Sequence, residues 1–120
     1  MTNQLINPST NSTLQIELAD TFLKRFLGYM GRKSIQPEQG MLFTLDRTSK
    51  MDASIHMFFM RFDIAVIWLS EDLTVVDKTI ARCWRPAYAP AQPAKYILET
   101  HPSQIDNFSL QDRVELIHAP

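Results

Sequence analysis

Over residues 14–18, Leu14, Ile16 and Leu18 alternate with Gln15 and Glu17, the period-two pattern of a strand with one buried face. The period then lengthens. Asp20 stands where a helix N-cap belongs, and Phe22, Leu23, Phe26, Leu27 and Met30 follow on one face, opposite Lys24 and Arg25. This spacing predicts one short helix near the N-terminus. Gly28 and Gly31 hold it to about two or three turns, because glycine costs roughly 1 kcal/mol against alanine inside a helix and is favoured just past its end. Beyond it the pattern predicts short strands near 41–45, 54–60, 64–69, 74–80, 95–99 and 113–117, with Ser70, Glu71 and Asp72 as a hairpin turn. The run Ile64–Leu69 does not alternate and contains Val66, Ile67 and Trp68, as a central strand covered on both faces does. By contrast, Val75, Asp77 and Thr79 alternate with Val76, Lys78 and Ile80, which predicts one solvated face. Pro86, Pro90 and Pro93 make 85–94 an extended loop, and 102–110 is read as a single helical turn.

Residues 1–12 are polar and read as a flexible arm ahead of a single β-rich domain over 13–120. At 120 residues and 13.8 kDa, two autonomous units would each be too small to bury a core. The expected fold is mainly β with one short helix, a compact antiparallel β-barrel or sandwich-like domain. Hydrophobic residues at 45% and charged residues at 21% exclude disorder and coiled coil, and a net charge of −1 gives no global bias towards nucleic acid or anionic membrane. The lone Cys83 excludes an intramolecular disulfide, and the polar N-terminal stretch is unlike a secretion signal, so a cytoplasmic location is expected. The longest apolar run, Ile64–Leu69, is far short of the ~20 residues of a membrane helix, so no membrane partner is expected.

Two clusters carry candidate chemistry. The first is His56, Met57, Met60, Arg61 and Asp63. A histidine beside thioethers suits a soft metal such as Cu(I), but one histidine is no ligand set and the methionines fill core gaps equally well, so no metal or other cofactor is assigned. Arg61 and Asp63, at i and i+2, read as an ion pair. The second cluster is Arg82, Cys83, Trp84, Arg85 and Tyr88, within residues 78–98, which carry Lys78, Arg82, Arg85 and Lys95 and no acidic side chain. Arginine forks match carboxylate and phosphate oxygens, and Trp84 and Tyr88 offer flat contacts; the plain alternative is a solvated face. Basic and aromatic residues also interleave in single-stranded nucleic-acid binders, but no nucleic-acid motif accompanies them here. Cys83 between two arginines has the surroundings of a thiolate. His56, His101 and His118 are bases by type, yet no spacing ties one to the thiol, and no catalytic residue is assigned.

Gly28-Tyr29-Met30-Gly31-Arg32, Gly40-Met41-Leu42-Phe43, Ile55-His56 with Met60-Arg61-Phe62, Val66-Ile67-Trp68-Leu69, Val75-Val76, Trp84-Arg85-Pro86 and Tyr96-Ile97-Leu98-Glu99 follow one another in an order that resembles the DUF192 (UPF0127) family of unknown function. The resemblance covers about residues 14–116 and implies a compact, mainly β bacterial or archaeal domain, without a reaction. The chain departs from the pattern where proline, an aliphatic residue and aspartate are usual: Asp63, Ile64 and Ala65 stand there, which raises the question whether Asp63 replaces the aspartate missing at 65. A further departure lies at Pro102-Ser103, and a glycine-aspartate pair becomes Gln111-Asp112.

The leading functional expectation is a binding module for an anionic small molecule or a protein segment, using Arg61, Arg82, Trp84, Arg85, Tyr88 and Lys95, with His56, Asp63, Cys83 and Glu99 as further polar members. The alternatives are an enzyme, either a Cys83-dependent transferase or a hydrolase using Glu99 and a histidine, and an accessory protein that pairs through a strand edge.

Overall fold

The computed structural model describes residues 3–19, 28–85 and 87–118. Among them seven strands form one sheet: β1 (Asn3–Asn7), β2 (Ser12–Ala19), β3 (Gln39–Ser49), β4 (Ile64–Leu69), β5 (Val75–Ala81), β6 (Ala94–Thr100) and β7 (Glu115–His118), in the order β5-β4-β6-β3-β2-β1-β7. A 3-10 helix, Pro102–Asn107, supplies the helical turn read at 102–110.

The mainly β content is as expected, but the barrel or sandwich is not. The sheet is open; β5 and β7 are not paired as strands, and the chain just before them is joined by an isolated bridge between Thr74 and Arg113, with Val75 N donating to Asp112 O (2.8 Å) and Val114 N to Leu73 O (2.9 Å). Nor is it wholly antiparallel. β2 and β3 run parallel, with Ile16 opposite Gly40 and Leu18 opposite Leu42. Alternation in a sequence reports which face of a strand is buried and is silent on its partner. A parallel pair needs a long crossover, and residues 20–38 make that connection. The short N-terminal helix is not seen: residues 20–27 of that expectation lie outside the described residues, and its last part, Gly28-Tyr29-Met30, is a turn in which Gly28 has φ 51°.

Residues 3–7, expected in a flexible arm, are strand β1, paired with both β2 and β7. Leu5 is fully buried, and buried Asn7 donates through Nδ2 to the Asn107 carbonyl (2.7 Å) and to Asp112 Oδ2 (2.9 Å). An asparagine in a polar stretch reads as loop, yet these long-range bonds satisfy it inside. The strand expected at 54–60 is also absent; only Ile55 makes a bridge, to Tyr88.

β4 is buried along its whole length between β5 and β6, as a run without alternation should be. Its side chains feed two cores. Ile64, Val66 and Trp68 join Met41, Phe43, Met57, Met60 and Ile97 on one face. Ile67 and Leu69 join Leu5, Leu14, Ile16, Leu42, Leu98 and Phe108 on the other. Trp68 is 1% exposed and donates its indole N–H to the Ala53 carbonyl at 2.8 Å, which pins the 50–63 connection over the first face. Trp68→Ala should therefore lower stability by about 3 to 5 kcal/mol through lost transfer energy and a cavity, read as the shift of the denaturant midpoint. An unchanged midpoint would remove Trp68 from the centre of this core.

Candidate functional site

The connections 50–63 and 82–93 are joined on the first face by backbone hydrogen bonds. Ile55 and Tyr88 exchange both of theirs (2.8 and 2.9 Å), Met57 N donates to Arg85 O (3.0 Å) and Trp84 N to Met57 O (2.7 Å). Asp63, just before β4, clamps the corner: Oδ1 accepts from Cys83 N at 2.8 Å and Oδ2 from Arg82 Nη1 at 3.1 Å. The Cys83 N–H above all, helped by the Arg82 guanidinium, holds the Asp63 carboxyl below the usual range. Arg82 N in turn donates to the Tyr88 hydroxyl at 2.9 Å. Asp63 thus pairs with Arg82, not with Arg61 as the i, i+2 spacing suggested.

This clamp presents two aromatic rings to solvent. Phe59 (φ 63°) and Trp84 (φ 66°) both adopt the left-handed conformation, which costs a side chain of this size on the order of 1–3 kcal/mol. Their rings meet edge to face with centroids 5.2 Å apart, yet they remain 61% and 57% exposed. With Gly31, Met60, Arg61 and Cys83 they line a shallow groove, and Phe58 beside it is 42% exposed. Gly31 N donates to Phe59 O at 3.2 Å, which ties the turn after Gly28 to the groove.

Met60 also borders a deeper cavity of about 240 Å³. Its walls are buried apolar side chains, among them Tyr29, Phe43, Met57 and Ile97; exposed Asp52, Ser54, His56 and Phe58 form its rim. A buried carboxyl lies within. Glu99, on β6 opposite Met41 of β3 and Val66 of β4, is 8% exposed, and its carboxyl has no hydrogen-bond partner among the described residues. Burial pushes its pKa up to about 8. The Tyr29 phenol is raised as well, by its own burial first and by the Glu99 charge second, while Arg32 lies over its ring at 5.2 Å and pairs with Glu17 at 2.9 Å. His56 accepts at Nδ1 from Phe58 N (3.3 Å).

The candidate residues are therefore distributed over three places. Arg61, Cys83 and Trp84 line the groove, while His56 and Glu99 line the cavity. Asp63, Arg82 and Tyr88 build the clamp between the connections. Arg85 contributes its backbone, and Lys95, near the start of β6, lines neither depression. Phe59, Phe58, Tyr29 and Gly28 were not among the candidates. The Phe58-Phe59 pair reads as part of an apolar strand, and a left-handed phenylalanine leaves no mark in composition. Among the described residues, no three His, Cys, Asp or Glu side chains are grouped as a metal would require.

The DUF192 family model, described as "Uncharacterized ACR", matches residues 5–116. A UPF0127 protein of Pyrococcus furiosus is 40% identical over 115 residues, covering 92% of this chain and 96% of its own length. Another, from Thermococcus kodakarensis, is 47% identical over 85 residues; the match takes in 71% of this chain and 52% of that protein, so the chain spans about half of this relative. These relatives are archaeal. Among solved structures, a proposed transcription regulator from Sinorhizobium meliloti superposes with a TM-score of 0.81 at 25% identity over 95% of this chain and 91% of the other. A protein of unknown function from Novosphingobium aromaticivorans superposes with a TM-score of 0.82 at 21% identity over 96% and 84%.

The buried carboxyl makes stability depend on pH with a definite sign. Between the ordinary glutamate value of 4.5 and about 8, the folded chain keeps a proton on Glu99 that the unfolded chain has lost. The associated stability is complete below pH 4.5 and is lost as pH rises towards 8, by on the order of a few kcal/mol. Denaturant midpoints followed from pH 5 to 9 should fall more steeply for wild type than for Glu99→Gln; parallel curves would mean that Glu99 is ionised in the folded protein.

Proposed function

The chain belongs to the DUF192 family, whose relatives compared above are named without an activity, and from its own geometry we propose that it is a binding module for a protein segment bearing acidic side chains. One observation carries this reading: Phe59 and Trp84 both hold a strained left-handed backbone while leaving most of their ring surface in water. Strain that keeps aromatic rings exposed has no use in the isolated fold, and exposed aromatic anchors are what protein interfaces bury first. Arg61, exposed in the same groove and unpaired among the described residues, supplies a fork for a carboxylate. Arg85 stands exposed next to Trp84, within a stretch of chain that has no acidic side chain from 78 to 98. The groove is shallow, which suits an extended segment better than a small anion. The thiol of Cys83 and the imidazole of His56 lie in separate depressions, so the geometry favours recognition over a cysteine-histidine reaction. Pairing through a strand edge has little to work with: β7 is four residues long, and Asp77 on β5 accepts from Ala91 N at 2.7 Å.

The test is a library of peptides in which an apolar residue is flanked by Asp or Glu, screened against the full chain, with uncharged peptides and duplex DNA as further arms. Acidic peptides should bind, and more weakly as salt rises. Trp84→Ala and Arg61→Ala should each weaken binding by about 1.5 to 3 kcal/mol. Phe59→Gly should also weaken binding but leave stability unchanged or raised by about 1 kcal/mol, since glycine relieves the left-handed strain. Preference for uncharged peptides or for DNA, or equal binding by the variants, would overturn the reading.

A further inference from the structure

We propose that the cavity closed by Glu99 is a separate binding site for a small organic cation, an amine or quaternary ammonium whose charge rests on the Glu99 carboxylate and whose apolar body fills the space beside Met57 and Met60. The first support is Glu99 itself. A carboxyl 8% exposed and without a partner among the described residues is costly to ionise there unless a cation completes it. No side-chain oxygen of the described residues is both sealed from solvent and unpartnered, so the Glu99 oxygens remain reachable from the cavity.

The second support is the wall around it. A Cβ built on Gly28 would stand 3.3 Å from Phe43 Cζ and 3.7 Å from Glu99 Oε1, so an aromatic ring and the carboxylate converge on one point beside this turn. Ring and carboxylate together are the surroundings in which ammonium groups are recognised. Glycine at 28, with φ 51°, leaves that point open, where a larger residue would crowd Phe43.

Charge and size narrow the ligand. Among the described residues no lysine or arginine lines the cavity. Among the described residues the titratable groups that line the cavity with Glu99 are Tyr29 on the turn and Asp52 and His56 on the rim; Asp52 is already paired with Arg47 at 2.9 Å, and Arg32 is held over Tyr29 by Glu17. An anionic ligand would thus meet Glu99 with no cation of the described residues to neutralise it. Scaling from a cavity of about 150 Å³ that accepts benzene, 240 Å³ has room for about ten non-hydrogen atoms.

The test titrates the full chain with benzylamine, phenethylamine and benzyltrimethylammonium, with neopentylbenzene and phenylacetate as neutral and anionic controls. Binding is followed by calorimetry and by the methyl resonances of Met57 and Met60. The cations should bind saturably and shift both methyl signals, and the controls should bind at least tenfold more weakly. Glu99 carries a proton in the empty cavity up to about pH 8, so capture of the permanent cation should release it. Its affinity should rise nearly tenfold per pH unit from 6 towards 8 and level off above. Glu99→Gln should lose at least tenfold in affinity together with the pH dependence. Equal affinity for neopentylbenzene, preference for phenylacetate, no saturable binding by any of the cations at millimolar concentration, or an unaltered Glu99→Gln variant would overturn the proposal. The wild-type titration decides even if that variant fails to fold, and neither result depends on peptide binding in the aromatic groove.

Discussion

β4 and β6 are hydrogen-bonded neighbours in the interior of one sheet and bury side chains on both of its faces, so a chain of 120 residues has to cover two apolar surfaces. The face of Ile67, Leu69 and Leu98 is covered in part by the segment around the 3-10 helix, through Ile105 and Phe108. Among the described residues the face of Val66, Trp68 and Ile97 has no second sheet over it, and its cover there consists of the turn after Gly28 and the connections 50–63 and 82–93. Irregular chain can be buried only if its backbone groups find partners. That requirement explains the ladder from Ile55–Tyr88 through Met57–Arg85 to Trp84–Met57, and the indole bond from Trp68 to Ala53.

Both depressions are lined by this cover. The cavity lies between the connections and the strand residues Phe43, Ile97 and Glu99; the groove lies where Phe59 and Trp84 turn outward. Asp63 is the hinge of the arrangement. By accepting from Cys83 N and pairing with Arg82, it fixes the corner from which Trp84 projects, so a residue that looked like part of an ion pair or a polar site acts on the site through position.

The strands were legible where burial is uniform or strictly alternating. Ile64–Leu69 and residues 14–18 carry those patterns in the identities of their side chains, because the sheet buries them on two faces or one. β1 was not legible, since its burial depends on Asn7 finding partners a hundred residues away. Nor was the parallel β2–β3 pair, since strand direction is set by the connection and leaves no period. At the site, residue type pointed to Arg61, Trp84, His56 and Glu99, but the division into groove and cavity depends on the positive φ of Phe59 and on the clamp at Asp63. Both are products of tertiary packing.

The departure at Ala65 can be placed in the same terms. Ala65 lies opposite Ile80 and Thr100, whereas Val66 lies opposite Glu99, and directly opposed residues in antiparallel strands share a face. Ala65 therefore points away from the cavity, towards the side where Thr100 donates to the Gln39 carbonyl at 2.6 Å. An aspartate at 65 would have to be satisfied there, and Asp63, two residues earlier and outside the paired strand, has its oxygens committed to Cys83 and Arg82. Asp63 is thus committed to the clamp and does not reach the side on which Ala65 lies. Because Ala65 belongs to the opposite face of the sheet, the departure from the pattern at this position does not touch the described lining of the Glu99 cavity.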